Sequence, residues 1–173
     1  MIRLTLALLV TLTPFTAQAA SYSFTWQGAN GYRIEGAFSI PDRLVKTDYV
    51  SQTHVECFRI QGLHLDKSIG IWGLAQLTPE TNWKFNFEPV NLVIRTGGSS
   101  ARSRFGQEWN MNGRGNNCGK GQIGFNSGTA AQDICLDNKL IYASQVPSNT
   151  PLQARRNDEI EFSRNDCEYA LTS

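Results

Sequence analysis

SYSFTWQGANGYRIEGAFSI, residues 21–40, is the stretch on which the fold class turns. Tyr22, Phe24 and Trp26 alternate with Ser23, Thr25 and Gln27. After GANG, residues 28–31, the side chains of Tyr32, Ile34, Gly36 and Phe38 fall on one side of a second run. Successive side chains of an extended chain point to opposite faces, so aromatic and polar residues in strict alternation describe a half-buried strand. Two such runs around a Gly-Ala-Asn-Gly turn describe a hairpin.

Working outward, the same period recurs along the chain. TDYVSQTHVECFRIQGLHL, residues 47–65, sets Phe58, Ile60 and Gly62 on one face and Cys57, Arg59 and Gln61 on the other. IGIWGL, residues 69–74, follows an Asp66-Lys67-Ser68 turn and pairs with it. WKFNFEP, residues 83–89, puts Trp83, Phe85 and Phe87 on one face and Lys84, Asn86 and Glu88 on the other, the pattern of one half-buried strand. VNLVIR (90–95), SRFGQEWNM (103–111), QIGFN (122–126), DICL (133–136) and KLIYASQ (139–145) are further strands, with Asp137-Asn138 as a tight turn between the last two. The segment from Pro147 reads as irregular. No window keeps apolar residues at helical spacing after the first 19 residues. About ten short strands then predict an all-β, antiparallel β-sandwich, jelly-roll-like in connection, with a closed β-barrel as the alternative.

The first residues, MIRLTLALLVTLTPFTAQA, place Arg3 before an apolar run and end on Ala17-Gln18-Ala19, as a secretory signal peptide cut after Ala19 would. Residues 20–173 form one domain. Removing 19 residues from 173 leaves 154, enough for a single hydrophobic core. Arg3 is the only charge in the leader, so the 16 basic residues fall to 15 and match the 15 acidic ones. Such a balance gives no general attraction to nucleic acid or to anionic membranes. No later run is long and apolar enough to span a bilayer. The expected location is periplasmic or secreted.

The four cysteines of an exported chain read as two disulfides, for which three pairings exist. Cys118 with Cys135 flanks one hairpin, and Cys57 with Cys167 ties the C-terminal segment to a central strand; this is the favoured pairing.

FTWQGANGYRIEGAFSIPD (24–42) together with GFNSGTAAQDICLDNKLIYAS (124–144) resembles a set of small exported bacterial β-rich proteins of unknown function, some with a PEP-CTERM-type sorting tail. The resemblance implies export and β structure, and carries no activity with it. The chain ends DCEYALTS, without the apolar helix and basic cluster of such a tail.

Catalytic sets are incomplete in the sequence. His54 and His64 are the only histidines, no GxSxG is present, and TGGSSA at 96–101 lacks the nucleophile elbow. Glu56, Glu88 and Glu108 lie in or beside strands, and a small hydrolase of polysaccharide or cell wall would work through Glu88 or Glu108 with a second carboxylate opposite. His54, Cys57 and His64 carry zinc-donor chemistry, but Cys57 is claimed by a disulfide. Asp133, Asp137 and Asn138 are better explained by a turn than by calcium. No metal and no cofactor is expected. Arg95, Arg102, Arg104, Arg114 and Lys120 make a locally basic segment with Trp109; in an exported protein an anionic envelope ligand suits it better than nucleic acid.

NMNGRGNNCGKG, residues 110–121, combines four glycines and four asparagines with Cys118. Such a stretch turns sharply without strain and offers backbone donors to a glycan or anion. Trp109 at its mouth is expected to be exposed, as a ring for stacking on sugar. The candidate ligand residues are Trp109, Asn110, Asn112, Arg114, Asn116 and Asn117, in a non-enzymatic binding or envelope-interaction module; a purely structural secreted protein is the remaining reading.

Overall fold

The computed structural model of the chain describes residues 19–97, 106–111 and 116–167. Of the expected signal segment only Ala19 is among them. It opens β1 (Ala19–Gln27), which pairs antiparallel with β2 (Tyr32–Pro41) from Gln27↔Arg33 to Ala19↔Pro41. Phe24 lies opposite Gly36, and a Cβ on Gly36 would come within 2.1 Å of the Phe24 ring, so the glycine is what lets that ring cross its neighbour strand. After β3 (Val50–Ser51) come β4 (Cys57–His64) and β5 (Lys67–Gly73). Their turn is Leu65-Asp66, both at positive φ, one residue earlier than the sequence suggests. The twist of a two-residue hairpin demands that left-handed backbone.

The rest of the chain gives β6 (Asn82–Lys84), β7 (Asn86–Glu88), β8 (Val93–Ile94), β9 (Gln107–Met111), β10 (Ile123–Ser127), β11 (Ala131–Leu136), β12 (Lys139–Pro147), β13 (Leu152–Arg156) and one helical turn, α1 (Arg164–Cys167). The strands form two antiparallel sheets, ordered β3-β7-β8-β13-β1-β2-β4-β5 and β12-β11-β10-β9-β6. This is the expected sandwich. Aromatic rings fill the space between the sheets: Trp109 meets Phe24 at 5.2 Å and Phe58 at 5.0 Å, and Phe125 meets Trp26 at 5.1 Å. Tyr22, Phe38 and Phe87 close the cluster, each ring in an edge or stacked contact that adds to its burial.

Three expectations need correction. WKFNFEP is not one strand: β6 belongs to the five-stranded sheet and β7 to the eight-stranded one, with Phe85 between them at the crossing. Lys84 and Asn86 are accordingly buried rather than solvated. The strand expected over 90–95 shrinks to Val93–Ile94, because Leu92 sits at positive φ in a turn closed by its N–H on the Pro89 carbonyl. The segment after Pro147, expected to be irregular, contains β13, which enters the eight-stranded sheet between β8 and β1. With Leu152 and Ala154 as its only apolar residues, β13 had too small a hydrophobic face to show in the pattern.

The structure joins Cys57 to Cys167 and Cys118 to Cys135, separated in sequence by 110 and 17 residues. On a loop-entropy model the two closures contribute about 3–5 kcal/mol each. Two such bridges suit an oxidising environment. No helix among the described residues is long and apolar enough to cross a membrane.

Candidate functional site

Of the proposed ligand residues, Trp109 and Asn110 are committed to the fold. Trp109 is fully buried, its ring against Phe24, Phe58 and Phe125 and its Nε1–H on Gln107 Oε1 at 3.2 Å, so the expectation of an exposed ring fails. The reason is register: Trp109 faces inward on β9 opposite Trp83 and Phe125. Asn110 is also buried, and its Nδ2 donates to the carbonyls of Cys118 at 2.8 Å and Ile123 at 2.9 Å and to Gln122 Oε1 at 3.0 Å. Asn116 is exposed, and Asn117 reaches the Glu80 carbonyl at 3.4 Å. Asn112 and Arg114 lie outside the described residues, as do Arg102 and Arg104.

The far end of the stretch is clamped by the β11–β12 turn. Gly119 N–H donates to Asn138 Oδ1 at 2.7 Å and Gly121 N–H to Asp137 Oδ1 at 2.9 Å. Those two side chains, weighed as calcium donors, thus serve the loop. Asp133 is buried on β11 with its carboxylate on the amides of Asn126 and Gln145; burial raises its pKa and those two amides oppose the rise. Of the zinc-type donors, Cys57 is in its disulfide and His54 accepts the Ser51 N–H at 3.3 Å, while the His64 ring stacks on Tyr32 at 4.1 Å.

The crossing from β6 to β7 builds something the alternation does not reveal. A cleft of about 650 Å³ opens beside β6, the outermost strand of its sheet, and faces the 3-10 turn Gln52–His54 that follows β3, the outermost strand of the other sheet. Val55, Leu74 and Leu77 give it an apolar side, and Gln52, Thr53, Thr81 and Asn82 a polar one. Trp83 stands in its wall with its ring packed on Phe58 at 4.6 Å and Phe85 at 5.8 Å; it is the one tryptophan of the chain that is not buried. Lys84 and Glu108 face each other as a cross-strand pair, and Asn82 Nδ2 donates to Glu108 Oε2 at 3.1 Å. Burial lowers the pKa of the Lys84 ammonium, and the Glu108 charge works against that shift.

Sequence reasoning named Glu108 and Trp83 but never joined them. A usable signal was present: Trp83-Lys84 and Glu108-Trp109 are complementary when read in opposite directions, which sets Trp on Trp and Lys on Glu in an antiparallel pair. Glu88, the other proposed carboxylate, is elsewhere, in a smaller cleft with Asp48 and Tyr49. Asn91 and Arg95 bind it there and hold its carboxyl below the usual pKa. Arg95 of the basic segment is thus ion-paired.

Searches against protein-family models, curated proteins and solved structures return no match for this chain.

Proposed function

We propose that this protein is an exported, non-enzymatic binding module that takes a carbohydrate in the cleft beside Trp83. The observation that carries the reading is the partly exposed indole in the wall of the cleft beside β6, ringed by amide, hydroxyl and charged groups. Sugars present an apolar ring face and a polar rim, and an amphipathic wall of this kind matches both. Export is supported by the leader-like first 19 residues and by the two disulfides.

Two features favour a sugar over other occupants. Glu108 is the only carboxylate among the described residues that line the cleft, whereas glycoside hydrolysis works with two facing each other. A peptide adding to the sheet edge would meet β6, three residues long, irregular in register between Asn82 and Trp83, and carrying a lysine; such edges resist strand addition.

Titration of the oxidised protein against a glycan panel, with Trp83→Ala beside wild type, checks the reading. Binding to at least one glycan is expected, weakened about tenfold or more by the substitution while circular dichroism stays unchanged. If the whole panel fails to bind, or Trp83→Ala binds as wild type does, the assignment is withdrawn.

A further inference from the structure

The charges of the cleft narrow the class of sugar. Among the ten described residues that line it only Lys84 and Glu108 are charged, and they have opposite signs. They are direct cross-strand partners, so neither can be approached without approaching the other. A ligand carboxylate or sulfate drawn to the Lys84 ammonium would lie against the Glu108 carboxylate. A ligand ammonium drawn to Glu108 would lie against Lys84. Each gains one attraction and meets one repulsion in a half-buried setting, where like charges discriminate strongly.

Neutral hydroxyls escape this conflict. A hydroxyl both donates and accepts, so one of two neighbouring sugar hydroxyls can accept from the Lys84 Nζ while the next donates to Glu108. Hydrogen bonds to ionised groups are the strong ones, and this pair supplies one of each polarity at adjacent positions. Asn82, already bonded to Glu108, fixes the direction in which that carboxylate presents its remaining lone pairs.

We infer that the cleft selects neutral hexose units with vicinal hydroxyls, one face stacked on Trp83 and the diol bridging Lys84 and Glu108, and that it discriminates against uronate, sulfated and amino sugars. The inference rests on the carbohydrate reading of the cleft.

Isothermal titration of the whole oxidised chain with neutral glucan, mannan and galactan oligomers, each beside a carboxylated, a sulfated and an amino-sugar counterpart of similar length, provides the test. A neutral oligomer is expected to bind, with charged counterparts at least about tenfold weaker. Glu108→Gln, a change at a partly exposed position that keeps the side-chain shape, is expected to weaken the neutral oligomer and to narrow the gap to the carboxylated one. A carboxylated or amino sugar that binds as tightly as the neutral oligomer overturns the selection and leaves the carbohydrate reading standing. Unchanged neutral binding in Glu108→Gln, with Trp83→Ala still abolishing it, overturns the diol bridge alone. Failure of every sugar by wild type of native melting temperature overturns both.

Discussion

Residues 22–26, YSFTW, and residues 83–87, WKFNF, carry one pattern: ring, polar, ring, polar, ring. The first lies wholly in β1, with its rings inward, Ser23 half-buried and Thr25 exposed. The second crosses from one sheet to the other at Phe85, and both of its polar residues are buried. Period two therefore tells that a chain is extended and which face is apolar, but it is silent on which sheet receives the strand. That choice is made by partners far along the chain. Asn86 is held on its backbone by the Gln107 amide, with N to Oε1 at 3.1 Å and Nε2 to O at 2.9 Å, while its own side chain donates to the Gly106 carbonyl and accepts from the Tyr49 hydroxyl. The hairpin is joined by adjacent strands in sequence; the crossing is held by two distant segments, around Tyr49 and Gly106-Gln107, and the cleft lies beside it.

The two regions meet at Phe58, whose ring touches Phe24 of the hairpin and Trp83 and Phe85 of the crossing. Phe58→Ala should show the largest effect, a loss of about 3–5 kcal/mol in chemical denaturation, the usual cost of emptying a core aromatic site. If one region unfolded well before the other, followed by separate fluorescence and amide-exchange probes, the shared-core view of the comparison would be wrong.

Next in size is a paired test of the polar positions. Asn86→Ala removes the donor to Gly106 and the acceptor for Tyr49 inside the protein, and should cost about 1–3 kcal/mol. Gln27→Ala, at an exposed polar position of the hairpin, should stay within about 0.5 kcal/mol. Equal costs in urea melts would mean that the polar residues of the crossing are solvated after all.

Much of this was legible in the residues. The β1–β2, β4–β5 and β11–β12 hairpins and the cysteine pairs rest on local alternation, turn chemistry and parity, which a single sequence displays. What escaped it depended on distance. Trp109 next to an Asn-Gly loop reads as exposed until β9 is known to lie between β6 and β10, where its inward face is sealed by Trp83 and Phe125. β13 escaped because its neighbours, not its own side chains, make it a strand. Lys84 escaped because a lysine in an alternating strand is normally solvated, and its place opposite Glu108 is set by strand pairing that the local pattern does not show.

Lys84→Met gives the smallest effect and the finest distinction between the two regions. The substitution keeps the aliphatic stem and removes an ammonium whose pKa is lowered, first by burial, with Glu108 opposing. Because the folded state binds that proton less tightly than the unfolded chain, the unfolded state holds more protons between the lowered folded pKa and the ordinary lysine value. Wild-type stability from this group is then least at neutral pH and rises as pH climbs through that window. Lys84→Met should therefore differ little from wild type at pH 7 and fall behind it progressively in alkaline melts, whereas Gln27→Ala should track wild type at every pH. A constant offset between Lys84→Met and wild type from pH 7 into the alkaline range would show that the ammonium is as well solvated as the hairpin's polar side chains, and the contrast between YSFTW and WKFNF would reduce to backbone geometry alone.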